Sequence, residues 1–206
     1  MNPINMMQQS GYEKHIGGAA VAIVTNTKDP DGLGRIKVVY PWNKDSGESY
    51  WARIMSFYAG DDRGALFLPE VDDEVLVIFE QGDMESPIII GALWSSKSKP
   101  PETNDDGKNN IKKIKTRSGH EIVFDDSDTQ EKIEIKSKSG HKITMDDTAG
   151  DEKITMEDKN GNSIEMDALS NKITLKSSMQ LSLEANIIEI KADSMLTLQG
   201  GIVKIN

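Results

Sequence analysis

Two histidines, a run of aspartates and a series of methionines are the residues of this chain whose types and spacing bear on chemistry. His120 and His141 each follow a glycine in a Ser-Gly-His turn, and Asn160-Gly161-Asn162 repeats the pattern, the three glycines lying 21 and 21 residues apart. The residue after each glycine has the parity of the apolar pair that follows it. Three copies around an axis would therefore gather His120 and His141 into rings of imidazoles that hold water or an anion. The alternative is a corner histidine in solvent, with glycine turning the corner at positive φ. Asp125-Asp126-Ser127-Asp128 clusters hard oxygen ligands suited to calcium. It lacks the glycine and the spaced bidentate glutamate of an EF-hand loop, and it reads as a solvated turn. Met145, Met156 and Met166 fill the second apolar slot of their segments, where a flexible thioether packs an irregular gap, so they read as core. No nucleophile with its base, no metal-ligand cluster and no phosphate-binding glycine loop stands out. The chain reads as a non-enzyme with no cofactor, and with no metal site beyond the His120 and His141 candidates.

Short strands must position these residues. From residue 122 onward a polar residue flanks an apolar-polar-apolar triplet ten times, at Ile122/Phe124, Ile133/Ile135, Ile143/Met145, Ile154/Met156, Ile164/Met166, Ile173/Leu175, Leu181/Leu183, Ile188/Ile190, Leu196/Leu198 and Val203/Ile205. Strict alternation gives each segment one apolar and one solvated face, the pattern of a strand and not of a helix. Successive pairs begin 11, 10, 11, 10, 9, 8, 7, 8 and 7 residues apart, so the corners shorten towards the C-terminus and a tapering solenoid is expected. Each segment offers two inward side chains, too few for one chain to close its own core. Three identical chains around a shared axis close it as the walls of a prism, which predicts a homotrimeric, intertwined β-helix, a needle, over residues 111–206.

Composition agrees with a thin body. The chain of 206 residues is 36% hydrophobic, with a mean hydropathy of -0.49. All three Trp, all four Tyr and every Phe except Phe124 lie before residue 95, and residues 95–110 are polar with Pro100, Pro101 and Gly107. The expected organisation is an N-terminal extension over 1–16, a first domain over 17–94, a linker over 95–110 and the needle over 111–206. The net charge of -10 divides into -6 through residue 98 (8 basic, 14 acidic) and -4 after it (16 basic, 20 acidic), so neither half is a basic surface for nucleic acid. Cysteine is absent, and neither a secretory apolar stretch nor a run of membrane-spanning length occurs. Folding in a cytoplasm is expected, with export only by a machine.

Residues 17–94 read as five short strands, Ala20–Thr25, Arg35–Tyr40, Tyr50–Met55, Glu74–Phe79 and Ile88–Leu93, the number in an oligonucleotide/oligosaccharide-binding (OB) barrel. Asp29-Pro30-Asp31-Gly32-Leu33-Gly34 is a turn sequence, and Gln81-Gly82-Asp83 predicts a tight hairpin between the last two strands. The segments DPDGLGRIKVVYPW (29–42), SYWARI (49–54), GALFLPEVDDEVLVIFEQGD (64–83) and SPIIIGALW (86–94) resemble, in order, the OB domain of the central spike of contractile injection machines. That family includes the baseplate assembly protein V group of phage tails and the valine-glycine repeat protein G of type VI secretion. RSGHEIVFDD followed by EKIEI resembles the start of the same family's needle. Asp72-Asp73 stands where the family has Gly-Asp, which places strain in that turn.

The resemblance implies an all-β, trimeric and structural spike at the tip of a phage tail, tailocin or type VI-like device, driven through a target envelope by sheath contraction. Only sixteen residues precede Gly17, so the trimeric hub at the OB end is expected to be a separate protein. No histidine follows His141, so the blunt end is expected to bind a separate tip protein resembling the proline-alanine-alanine-arginine repeat caps. Leu196, Leu198, Gly200, Gly201, Val203, Ile205 and Asn206 would form that seat. Such a spike is assembled in the cytoplasm within a phage-like particle and delivered outside the cell. The alternative from another class is a trimeric adhesive fibre tip that binds a host glycan or protein.

Overall fold

The structure is a computed structural model that describes residues 17–204 apart from 44 and 46. The chain divides into two compact units, one ending at Pro100 and the other starting at Pro101.

The first unit is a curled five-stranded sheet. Its strands are β1 (Ala19–Asn26), β2 (Lys37–Val39), β3 (Arg53–Ile54), β6 (Glu74–Phe79) and β7 (Pro87–Leu93), in the order β2-β1-β6-β7-β3. Bridges Ile36↔Ala52 and Val39↔Glu48 join β2 to the segment that leads into β3, so the two edges of the sheet meet as in a barrel. Register shifts in β1 and β6 supply local bends of the kind that curl a sheet. Alternation decides what is buried: Ala22 and Val24 of β1, Val75, Val77 and Phe79 of β6, and Ile36, Val38 and Tyr40 around β2 form the core with Ala52 and Ile89.

Two turns of this unit carry strong local chemistry. The Asp29 carboxylate accepts from the backbone N–H groups of Asp31, Leu33 and Arg35 at 3.1 Å each, and from the Arg35 guanidinium at 2.8 and 2.9 Å. The Arg35 hydrogen bonds hold its carboxyl well below the usual carboxylate range, and one side chain thus closes the whole loop that Gly32 and Gly34 turn at positive φ. The segment joining β6 to β7 differs from the expected tight hairpin. It runs over seven residues, 80–86, closed by Glu80 N–H to Ser86 O at 3.0 Å, with Gln81 and Gly82 both at positive φ.

Asp72 also sits at a φ of 75°, its N–H donating to Val24 O at 2.9 Å, so the strain expected at this position is present. Asp72→Gly keeps the backbone bond and relieves the left-handed penalty, which is about 1 kcal/mol for a residue with a side chain. Chemical denaturation is expected to show that gain, and an unchanged or lower midpoint would contradict it.

The second unit is a seven-stranded antiparallel meander: β8 (Ile111–Lys115), β9 (Glu121–Asp125), β10 (Lys132–Lys136), β11 (Lys142–Asp146), β12 (Lys153–Glu157), β13 (Ser163–Asp167) and β14 (Lys172–Lys176), each paired with its neighbours in sequence. One continuous intertwined winding from residue 111 was the expectation; through Lys176 the chain instead pairs with itself. The spacing explains this, since 10 or 11 residues per repeat provide a five-residue strand and enough chain to double back. From residue 177 to 204 no strand is formed, although the alternation continues. There the repeat falls to 7 or 8 residues, and no glycine occurs between Gly161 and Gly200 to reverse the chain.

Charge fixes the register of the meander. Along one edge of its polar face run Asp125, Lys132, Asp146, Lys153, Asp167 and Lys172, each directly opposite its neighbours on adjacent strands and alternating in sign throughout. A slip by one strand position would break the opposite-charge pairs and turn the apolar pairs outward. Asp125, Asp146 and Asp167 also accept the backbone N–H of Ser127, Thr148 and Ser170 at 3.0, 3.0 and 2.9 Å. Hydrogen bonds from the Ser127 and Thr148 side chains to Asp125 and Asp146, and from the backbone N–H of Ser170 to Asp167, come first among the causes that lower all three carboxyl pKa values, with the backbone bonds of Ser127 and Thr148 and the facing lysines adding to them. A depressed folded-state value contributes stability that is present above the unfolded value near 3.9 and is lost as pH falls through the folded value. The melting temperature is therefore expected to hold above about pH 5 and to fall below about pH 4. A melting temperature that rises on acidification to pH 3 would contradict the charge ladder.

Candidate functional site

The most extensive feature without an intrachain partner is the apolar face of the meander. Register sets Ile133 between Phe124 and Met145, Ile154 between Met145 and Met166, and Ile164 between Met156 and Leu175, so six apolar pairs merge into one stripe across six strands. Its side chains from Ile135 to Leu175 are between 37% and 71% exposed in the single chain, whereas the core of the first unit is almost fully buried. A groove of about 710 Å³ runs over this face, lined by Ile135, Ile143, Met156, Ile164, Leu175 and Leu181. Scattered exposed hydrophobics are ordinary, but a continuous stripe of this size is a surface made to be covered.

The histidines lie at the border of that face. His141 lines the rim of the groove, beside the strand that carries Ile143 and Met145. His120 is exposed at the turn before β9, where its Nδ1 accepts the backbone N–H of Lys138 at 3.3 Å. Asn162, in the equivalent place two turns on, accepts the N–H of Ser178 through Oδ1 at 2.9 Å. The residue after the glycine thus ties one turn to the next at His120 and Asn162. Gly119, Gly140 and Gly161 take φ of 90°, 95° and 82° at these corners. In the aspartate run, Asp125 holds its own turn and Asp126 pairs with Lys112 Nζ at 2.7 Å.

The expected tip seat is only partly within the described residues. Leu196, Leu198 and Val203 are each more than half exposed and lie outside any strand. Gly200 and Gly201 carry no φ in the positive range, and Ile205 and Asn206 lie outside the described residues.

On the first unit, the aromatic group best placed to stack a base is Trp51, with Arg35 at 5.9 Å and Lys37 at 5.4 Å from its ring. Both cations, and Arg53 nearby, are matched by carboxylates: Arg35 by Asp29 and Asp31, Lys37 by Glu48 at 3.4 Å, Arg53 by Glu80 at 2.7 Å. This face is neutralised, unlike the basic groove that tracks a nucleic-acid backbone. Among the described residues no helix is long and apolar enough to cross a membrane, and no group of three or more His, Asp or Glu is placed to hold a metal ion.

Residues 20–94, the curled sheet, match the type VI secretion system/phage-baseplate injector OB domain. The chain is similar to VgrG spike proteins over about half of its length. Over 111 residues it is 32% identical to the type VI secretion system spike protein VgrG3 of Vibrio cholerae, a match covering 50% of this chain and 11% of that protein. It is 35% identical over 92 residues to the spike protein VgrG5 of Pseudomonas aeruginosa, covering 41% of this chain and 12% of VgrG5. The actin cross-linking toxin VgrG1 of Vibrio cholerae is 32% identical over 111 residues, 50% of this chain and 10% of the toxin. The matches thus span about a tenth of each relative. The longer matches, covering 50% of this chain, exceed the 20–94 stretch of the OB domain, and most of each relative lies outside them.

The hairpin β4 (Ala59–Gly60) and β5 (Arg63–Gly64), which projects from the OB unit with several exposed aromatics around it, was not legible in the sequence. Two-residue strands leave no periodicity. The one available signal was Gly60-Asp61-Asp62-Arg63-Gly64, two turn-forming residues framed by glycines.

Proposed function

We propose that this chain is the non-enzymatic, membrane-piercing central spike of a contractile injection system, acting as a homotrimer. The observation that carries this reading is the pairing, in one chain, of an injector OB domain with an uncovered apolar stripe that continues as unpaired alternating segments. Three copies cover the stripe with one another. Residues 177–204 then find, in neighbouring chains, the strand partners that they lack in their own, and the intertwined β-helix is confined to the stretch after Lys176. Interstrand hydrogen bonds along a closed prism resist buckling when sheath contraction drives the tip into an envelope. Axial rings of His120 and His141 belong to the same arrangement.

A trimeric hub seats the OB end, and a small cap of the proline-alanine-alanine-arginine repeat kind covers the end formed by Leu196, Leu198, Gly200, Gly201, Val203, Ile205 and Asn206. The spike is assembled in the cytoplasm as part of a phage-like particle and leaves the cell only on contraction. Deleting its gene from a host that produces the particles is expected to abolish target killing. The full chain restores killing, and a chain ending at Asn110 does not. Particles equally active without the chain would overturn the assignment.

A further inference from the structure

A separate cleft lies on the outer face of the OB unit, and three segments of the chain wall it. Strand alternation buries Ala52 and turns Trp51 and Arg53 outward, and the bridge Ile36↔Ala52 sets Arg35 and Lys37 on that same face. The second wall is the turn between β1 and β2, through Leu33 and Arg35, and the third is the connection from β6 to β7, through Glu80, Glu85 and Ser86. The cleft holds about 400 Å³. Leu33 and Arg53 also border a groove of about 800 Å³ beside the β4–β5 hairpin, so an elongated ligand has room to continue. Each of the two loops is locked by one aspartate. Asp29 closes the first, while in the second Asp83 accepts from the backbone N–H of Glu85 at 2.9 Å and from Ser86 Oγ at 3.2 Å. The β6–β7 connection is tied again by Asp83 N–H to Glu80 O at 3.0 Å and by Ser86 N–H to Asp83 O at 3.1 Å, so the residues beyond those a tight hairpin needs form a fixed wall. A cleft whose walls are set in advance binds with little ordering cost.

We infer that this cleft binds a neutral oligosaccharide, with Trp51 as the platform for the apolar face of a sugar ring. Two observations select this class of ligand. The Trp51 indole lines the cleft and is held by the Arg35 and Lys37 cations at 5.9 and 5.4 Å from its ring, which makes it a fixed apolar contact with a polar surround. A pyranose presents the matching combination, a C–H face rimmed by hydroxyls. The cations around the ring are also paired: Arg35 with Asp29 and Asp31, Lys37 with Glu48, and Arg53 with Glu80. A phosphate backbone calls for unmatched positive charge, whereas a hydroxyl both donates and accepts and is met by a guanidinium and a carboxylate held side by side. Arg53 and Glu80 are 62% and 54% exposed, joined by one hydrogen bond of 2.7 Å, and both line the cleft with donor and acceptor capacity left over. The site belongs to the OB unit, and the inference does not rest on how the second unit assembles.

Isothermal titration of the full-length protein with cellohexaose, chitohexaose and maltohexaose is expected to give saturable binding of at least one of them, at one site per chain. Trp51→Ala is expected to weaken that binding by about tenfold or more, the loss of one ring contact. Arg53→Ala, at an exposed pair, is expected to weaken it several-fold while the melting temperature is kept, so the site is tested even where Trp51→Ala folds poorly. Trp94→Ala, whose ring is 71% exposed and lies outside the cleft, is expected to bind as the parent does. Absence of binding by all three sugars at millimolar concentration, or an affinity that neither Trp51→Ala nor Arg53→Ala changes, would overturn the inference. Tighter binding of hexathymidylate than of any of the sugars would overturn it as well, and would assign the cleft to nucleic acid.

Discussion

Ile154→Asp is expected to dissolve the assembly. Ile154 lies on β12 directly opposite Met145 and Met166, in the middle of the apolar stripe, and is 40% exposed in the single chain. If copies cover that stripe, the substitution places three carboxylates in a dry interior, each costing several kcal/mol unless it is neutralised or paired. The penalty is tripled by symmetry. Thr155→Lys, one residue on, points to the opposite face, directly opposite Glu165, and should leave assembly unchanged. Size-exclusion chromatography of the pair reads the difference. A trimer formed by Ile154→Asp with the stability of the parent would show that the stripe is not an interface.

A chain ending at Asn110 is expected to remain folded yet lose almost all of its association. The OB unit has its own core of ten buried hydrophobics, and Asp29 closes the turn between β1 and β2 without help from the second unit. The apolar stripe and the unpaired segments after Lys176 are removed together. Thermal unfolding followed by circular dichroism is the measurement. A truncated trimer as heat-resistant as the full chain would place the stability of the assembly in the OB unit.

Much of this fold could be read from residue order because its strands alternate cleanly. Glu74–Phe79 has the same limits in sequence and structure, and the six apolar pairs from Ile122 to Leu175 each fall on one strand. What alternation leaves open is the partner of each strand. A period-two pattern says which side chains share a face, and it is silent on whether the neighbour comes from the same chain or another. The meander over residues 111–176 was therefore not distinguishable by periodicity alone from an intertwined helix. A further signal lay in Asp125, Asp146 and Asp167, spaced 21 and 21 residues apart and alternating in register with Lys132, Lys153 and Lys172. Opposite charges on successive strands of one chain mark self-pairing. The loop at Gln81 was longer than its glycine suggested, because two consecutive residues take positive φ and a 3₁₀ turn precedes β7. The β4–β5 hairpin depends on a close backbone approach at Gly64, where a Cβ would lie 2.7 Å from Tyr58 O, and composition does not reveal it.

A single chain is an incomplete object, and its mass in solution reads this without any substitution. Multi-angle light scattering on the purified full-length protein at physiological salt is expected to give a single species of three times the 22.7 kDa chain mass, about 68 kDa. A stable, folded species of 22.7 kDa would contradict the account, because the apolar stripe and the unpaired segments after Lys176 would then face water with nothing to cover them.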